Sequence, residues 1–201
     1  MTVTDEFLLN QLCSVEGSPK AFEELKRRHL MGNQWASVYY ANWLMSSRFG
    51  TPDKDTAMAI LNDLVAKGFG HGYYMMSICD KQNENYWLQK AIDARDADAI
   101  ASLGYKFYLG KDVEKDKARA YELWQLSYEL GSEHGAENLI EYYVEKGYKT
   151  KAVEIMKFCL DCHGYDALSR AYHIGYNWGE PEFRQLYQKY KSQYPRSFWE
   201  D

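Results

Sequence analysis

The residue pattern with the most specific chemical precedent is a pair of cysteines near the C-terminal end. Cys159 and Cys162 are separated by two residues, and His163 follows directly. This is the spacing of c-type haem attachment, which also requires an exported chain and a distal axial ligand. The sequence begins without the basic and apolar segments of a secretory signal. We therefore expect no haem and interpret the two cysteines as packing residues of a helix.

Zinc is the second chemistry that these residues could support. His173 could join Cys159, Cys162 and His163 as a fourth ligand, which would give a metal- or redox-binding protein. Structural zinc sites use two well-spaced ligand pairs, and only one tight pair is present here. We predict neither metal nor cofactor, and the metal or redox protein stays as the alternative.

No other stretch of the sequence has the pattern of a catalytic site. No glycine-rich phosphate loop stands between a strand and a helix, and no serine or cysteine lies in a nucleophile elbow. We predict that the protein is not an enzyme and that it has no catalytic residues.

Charge and hydropathy exclude several classes of partner. The 201 residues carry a formal net charge of −5, which argues against nucleic acid or anionic lipid as the main partner. No apolar run approaches the roughly 20 residues that span a bilayer. The sequence therefore predicts a cytoplasmic protein with free thiols and no membrane contact.

Aromatic and acidic residues suggest a binding surface instead. The chain has 18 tyrosines and 6 tryptophans, and tyrosine is typical of binding hot spots. Glutamates recur every four residues at Glu133, Glu137, Glu141 and Glu145. A solvated helix face is the simpler interpretation, and an acidic stripe that steers a basic partner is the functional one.

The elements that must position these residues follow from an internal repeat. A small residue recurs at intervals of 27 to 36 residues, at Ala36, Gly72, Ala99, Gly135 and Ala167. A second set of alanines precedes a larger residue by four, as in Ala57 with Leu61 and Ala120 with Trp124. A spacing of four places each pair on one helix face. The copy from Gly135 fits if its inter-helix loop is four residues shorter, and the copy from Gly72 keeps only Leu88 and Ala91 of its second helix.

This pattern predicts an all-α protein with a single domain over residues 1–201. We expect a right-handed α-α superhelix of about five helix pairs, because small residues let helices approach closely and repeated pairs stack into solenoids. Residues 1–17 are predicted to form an N-terminal cap, residues 18–174 the repeats and residues 175–201 a C-terminal capping helix.

The clearest repeat copy resembles a known family. It runs from Ala99 through Leu103, Gly104, Phe107, Gly110, Val113, Asp116 and Ala120 to Gly131. This string is similar to the Sel-1-like repeat, a tetratricopeptide-related helical repeat with a longer loop between its helices. The resemblance implies a protein-binding role, since Sel-1-like proteins are generally adaptors, and bacterial members include neutralising partners of toxins. It implies no catalytic residues.

In such a solenoid the first helix of each pair lines the concave face. Positions two before, two after and five after the Leu103-type residue are predicted to point into this groove. The candidate partner-binding residues are Val38, Asn42, Met45, Tyr74, Tyr105, Tyr108, Glu137, Glu141, His173 and Tyr176. We predict a non-catalytic module that captures another protein on an aromatic and acidic groove, as an adaptor or an immunity-type protein. The partner could be basic, and nothing in the sequence indicates a homo-oligomer.

Overall fold

A computed structural model describes residues 19–46, 51–163, 170–174 and 179–191. The regular elements in these ranges are α-helices, one 3-10 turn, Lys81–Asn83, and a short helical segment at 170–174 that ends in π-helical geometry; the ranges contain no strand. The α-helices are α1 (Pro19–Leu30), α2 (Gln34–Met45), α3 (Lys54–Ala66), α4 (Gly70–Cys79), α5 (Glu84–Asp93), α6 (Ala97–Leu109), α7 (Lys117–Glu129), α8 (Glu133–Glu145), α9 (Lys149–His163) and α10 (Pro181–Lys191). The predicted N-terminal cap, residues 1–17, lies outside the described residues.

Capping side chains mark the starts of five of the ten helices. An aspartate, asparagine or serine precedes each of five helices, and its oxygen accepts a hydrogen bond from the backbone N–H three residues on. These capping residues are Asn33, Asp53, Asp96, Asp116 and Ser132. Gly32, Gly68 and Gly131 adopt positive φ where one helix ends shortly before the next begins. Arg95 takes the same conformation at the equivalent turn, with φ of 57°.

Helices adjacent in sequence pack against each other throughout the described chain. The first helices of successive pairs, α2, α4, α6 and α8, also contact one another across the repeats. The α6–α7 loop is Gly110–Asp116, whereas the α8–α9 loop is only Lys146–Tyr148, which matches the predicted four-residue difference.

The small repeat residues lie where two helices approach most closely. A Cβ on Gly104 would lie 2.7 Å from the ring of Trp124 in α7, and a Cβ on Gly72 would lie 2.8 Å from the Cβ of Leu64 in α3. Ala36 and Ala99, which match Gly72 in the repeat, are fully buried, and so is Ala41, which matches Gly104. The sequence interpretation of these positions as contacts between helices is thus correct.

The buried side chains form two large clusters. The N-terminal core extends from Leu25 in α1 to Met76 in α4, and the C-terminal core extends from Ala101 in α6 to Tyr190 in α10. A small cluster of Leu88, Ala91 and Ala99 lies between them. The hydrophobic interior therefore narrows at α5, where the sequence repeat is also weakest.

Candidate functional site

The exposed side of the first helices contains two adjoining depressions. One has a volume of about 320 Å³ and lies between α6 and α8. The other, of about 370 Å³, extends from α8 across α6 to α4 and α5. Tyr105 and Asn138 line both depressions. We call the two together the groove.

The α6–α8 depression combines aromatic rings with carboxylates. It is lined by Tyr108, Tyr142 and Val144 together with Glu141 and Glu145. The Tyr108 hydroxyl donates a hydrogen bond to Glu145 Oε2 at 3.1 Å. This bond is the main reason why the pKa of Glu145 lies below its usual value. The carboxylate is therefore held ionised at the edge of the groove.

The second depression is lined by several hydrogen-bond donors and by the Glu84 carboxylate. The Ser102 hydroxyl donates to the Tyr74 hydroxyl oxygen at 3.2 Å, and both residues line the cavity. Lys106 is buried, and its ammonium donates to Asn85 Oδ1 at 2.8 Å and lies 3.1 Å from Glu84 Oε1. The buried charge of Lys106 is thus compensated within the repeat.

Four of the predicted partner-binding residues line the groove. They are Tyr74, Tyr105, Tyr108 and Glu141. Tyr105 has half of its surface exposed.

The other predicted positions lie elsewhere. Val38 is only 3% exposed and belongs to the N-terminal core, so its prediction as an open binding residue was wrong. Asn42 is exposed and Met45 half-buried on α2, beyond the groove as defined here. His173 is exposed, and Tyr176 lies outside the described residues.

The glutamates of α8 are largely paired within the protein. Arg170 donates to Glu137 Oε1 at 3.1 Å and to Glu141 Oε1 at 2.8 Å. Lys117 lies 3.5 Å from Glu145. Since these cations already compensate much of the negative charge, the acidic stripe does not support a predominantly basic partner.

A row of polar side chains links three first helices at their N-terminal ends. His71 Nδ1 lies 3.0 Å from Asp96 Oδ2 and 3.8 Å from Asp98 Oδ2. On the other side of Asp98, His134 Nδ1 lies 3.1 Å from Oδ1. The Ser132 hydroxyl donates to the same oxygen. Asp98 therefore bridges α4 and α8.

This row was missed by the sequence analysis, although the repeat contains a signal for it. Trp35, His71, Asp98 and His134 each directly precede the small residue of their repeat. The rings of Trp35 and His71 are also in contact, with centroids 4.8 Å apart. The carboxylate partners of His71 and His134 lie on other helices, so the spacing of residues within one helix does not reveal them.

The interaction between Asp98 and His134 shifts the pKa of both side chains. The hydrogen bond from Asp98, followed by its charge, raises the pKa of His134 from 6.5 to about 9. Burial alone would raise the pKa of Asp98, but the hydrogen bond and charge of His134 outweigh it and lower that pKa to about 2. Both groups are therefore charged at neutral pH.

These shifts predict a pH-dependent stability. Because the pKa of His134 is raised on folding, its contribution is complete below pH 6.5 and is lost as the pH rises through 9. The contribution of Asp98, whose pKa is lowered, is complete above pH 3.8 and is lost as the pH falls through 2.

His134→Gln should lower the free energy of unfolding by about 1 kcal/mol at pH 6, a value reduced for solvent screening because its side chain is 60% exposed. Urea unfolding at pH 6 and pH 9 measures this difference.

His29→Gln is the matched control for this experiment. Burial lowers the pKa of His29, which is the opposite direction, so its removal should leave the loss of stability between pH 6.5 and pH 9 unchanged. If the wild-type protein and His134→Gln lost the same free energy of unfolding between pH 6.5 and pH 9, the Asp98–His134 pair could not be the cause of that loss.

Cys159, the cysteine of the pattern whose side chain the structure describes, packs among apolar side chains. Cys159 is 2% exposed and belongs to the C-terminal core. The side chains of Cys162 and His163 lie outside the described residues. Within the residues that are described, no three histidine, cysteine, aspartate or glutamate side chains form a group that could hold a metal ion. None of the described helices combines the length and apolar character needed to cross a membrane.

Comparison with known proteins shows which solved structures have a similar fold. No protein-family profile matches the sequence, and no curated protein matches it. Solved structures do match. A Sel1 repeat protein from Oxalobacter formigenes is 17% identical, with a TM-score of 0.54, over 94% of this chain and 84% of its own. An immunity protein from Pseudomonas aeruginosa is 16% identical, with a TM-score of 0.68, over 96% of this chain and 82% of its own.

A third solved structure has the same repeat architecture. It is a protective antigen of uropathogenic Escherichia coli strains with an SLR fold, 19% identical with a TM-score of 0.53. The match covers 86% of this chain and 41% of the antigen. These likenesses agree with the repeat positions, the caps and the helix pairing described above. The chain therefore has the helical-repeat fold of the Sel1-like repeat proteins.

Proposed function

We propose that this protein is a non-catalytic interaction module that binds a polypeptide partner in the groove of α4, α6 and α8. The observation that carries the proposal is Tyr105, which is half exposed at the boundary of two depressions. An exposed aromatic ring in a concave, partly apolar surface is typical of a binding hot spot.

The composition of the neighbouring surface supports the same proposal. Neither α2 nor α4 contains a lysine, arginine, aspartate or glutamate. Ile78 in α4 is 45% exposed and Leu109 in α6 is 48% exposed. Helix faces that only meet water are usually charged, so first helices with exposed apolar residues favour burial against another molecule.

Neutralisation of a toxin is the specific role that we propose within this class. The immunity protein from Pseudomonas aeruginosa shares the fold over 96% of the present chain. A rigid repeat with a preformed groove can bind an enzyme and cover its active site without any chemistry of its own, which is the physical requirement of such a role.

The first binding prediction concerns Tyr105. Tyr105→Ala should weaken partner binding about thirtyfold, which corresponds to the roughly 2 kcal/mol of a hot-spot residue. Because the ring is half exposed, the free energy of unfolding should change by less than about 0.5 kcal/mol. Affinity capture from the native cytosol identifies the partner, and titration calorimetry of the purified pair measures the affinity.

Tyr86→Ala is the matched control. Tyr86 is 56% exposed on α5 and does not line the groove, so its replacement should change the affinity less than twofold. Equal effects of Tyr86→Ala and Tyr105→Ala, or a loss of stability in Tyr105→Ala without a loss of affinity, would contradict binding in the groove.

A further inference from the structure

One face of α8 runs along the whole groove. His134, Asn138, Glu141 and Glu145 all line it, at spacings of four, three and four residues. This spacing places them on the same helix face. The face begins with a histidine whose charge is positive at neutral pH and ends with two carboxylates. Each of these charges is paired within the protein, His134 with Asp98, Glu141 with Arg170 and Glu145 with Lys117, so the groove has ion pairs of opposite orientation at its two ends.

The positive end is built from oriented donors. Since His134 Nδ1 is engaged by Asp98, its other ring nitrogen carries the remaining N–H of the imidazolium. The raised pKa, about 9, keeps this group charged at neutral pH. Asn138 is held beside it by a hydrogen bond from Nδ2 to the His134 carbonyl at 2.8 Å, and the Ser102 and Tyr74 hydroxyls line the same depression. This end is suited to a carboxylate.

The negative end already holds a cation of the protein itself. The Lys117 ammonium lies 4.8 Å from the centroid of the Tyr108 ring and 3.5 Å from Glu145 Oε1. The adjoining Glu141 accepts from Arg170 through Oε1. Aromatic faces beside carboxylates bind cations by cation–π and charge interactions together. Lys117 and Arg170 thus show which kind of side chain this surface binds.

The placement of these charges does not stabilise α8. A helix favours anions in its first turn and cations in its last turn. His134 is the second residue of α8, and Glu145 is its last residue. The charges at the two ends of the groove therefore oppose the helix dipole, and what holds them in place is pairing between helices, His134 with Asp98 and Glu145 with Lys117.

We propose, on the basis of the protein-binding function above, that the groove binds an extended partner segment of mixed charge. An acidic side chain of the partner contacts His134 and Asn138, and a lysine or arginine contacts Glu141 and Glu145. Tyr105 packs against the residues between them.

The dimensions set the spacing in the partner. His134 and Glu141 are seven residues apart and His134 and Glu145 are eleven apart. At 1.5 Å per residue these separations are about 10 and 16 Å along the helix. An extended chain advances about 3.3 Å per residue, so the acidic and basic residues of the partner should be about three to five positions apart.

The test uses a random decapeptide library displayed on phage and selected on the full chain. Enriched peptides should contain an acidic residue and a lysine or arginine three to five positions apart, in either order along the peptide. In a synthetic enriched peptide, replacing either charged residue by alanine should weaken binding about fivefold. Glu145→Lys in the protein should weaken binding to a similar degree and remove the preference for the basic residue.

Glu154→Lys is the control for the charge change. Glu154 is exposed on α9 and does not line the groove, so this variant should bind within twofold of wild type. Enriched peptides that depend on Tyr105 but have no charge pattern would overturn the mixed-charge segment and leave the groove as the binding site. Failure to enrich any peptide whose binding is lost in Tyr105→Ala would overturn the groove as well.

Discussion

Replacing Trp124 by alanine is expected to lower the free energy of unfolding by about 4 kcal/mol, the cost of removing a buried aromatic side chain. Trp124 is 3% exposed in the C-terminal core. Its ring lies against Gly104, where no side chain could fill the space that the alanine leaves. The indole N–H also donates to the Ala101 carbonyl at 3.2 Å, so a hydrogen bond between α7 and α6 is lost with the ring.

Because the core narrows at α5, we can predict which helices this loss of stability affects first. Each repeat of a solenoid is stabilised mainly by its neighbours, so a defect in one core need not unfold the other. In Trp124→Ala, amide exchange should accelerate in α6 to α9 before it does so in α2 and α3. Urea unfolding followed by circular dichroism should show a broadened transition.

Trp124→Phe separates packing from the hydrogen bond. A phenyl ring keeps most of the apolar contact and removes only the N–H, so the loss should be about 1 to 2 kcal/mol. If Trp124→Ala lost no more than Trp124→Phe, the ring could not be the element that joins α6 to α7.

The fold could be predicted because each repeat copy places residues of the same size at the same contacts between helices. Gly104 and Trp124 are understood as a close contact between helices once Ala41 and Leu61 are seen at the positions 63 residues earlier. Even the degenerate copy kept its two diagnostic residues, since Leu88 and Ala91 are both buried. Local periodicity and small-residue spacing thus determine which helices pair.

The groove could be predicted only in part. The position two residues after Leu103 was predicted to point into the groove, and Tyr105 at that position lines both depressions. The position two residues before failed at Val38, and Ala101 in the same register is also buried. Ala101 nevertheless lines the second depression together with Tyr74, so residues in this register can border the groove while little of their own surface is exposed.

Interactions between repeats were beyond the sequence analysis. Asp98 is 27 residues from His71 and 36 residues from His134, and no helical periodicity connects such distances. Arg170 likewise reaches Glu137 and Glu141 from a later segment and changes the charge of the predicted acidic stripe. Charge on a solenoid surface is determined by neighbours in the stack as well as by the helix that carries it.

Gly135→Ala tests a close approach between the backbones of α7 and α8. A Cβ at this position would overlap the Ser127 hydroxyl and lie 2.6 Å from the backbone nitrogen of Tyr128. Backbone atoms of α7 cannot turn aside as a flexible side chain can, so α8 must shift as a whole. The shift would also disturb the hydrogen bond from Ser127 to the Ala97 carbonyl, which is 2.7 Å long. We expect a loss of about 3 kcal/mol, at the upper end for overpacking.

Gly147→Ala distinguishes this effect from the loss of a glycine as such. Gly147 has φ of 77° with no atom within 4 Å of a built Cβ, so alanine there should cost about 1 kcal/mol of backbone strain and no more. The double variant Ser127→Ala with Gly135→Ala should recover only a minor part of the loss, because removing the hydroxyl leaves the contact with Tyr128 nitrogen in place. Full recovery of stability in the double variant would locate the crowding in the Ser127 side chain. If Gly135→Ala lost no more stability than Gly147→Ala, α7 and α8 would have to be further apart than the contact at Gly135 indicates.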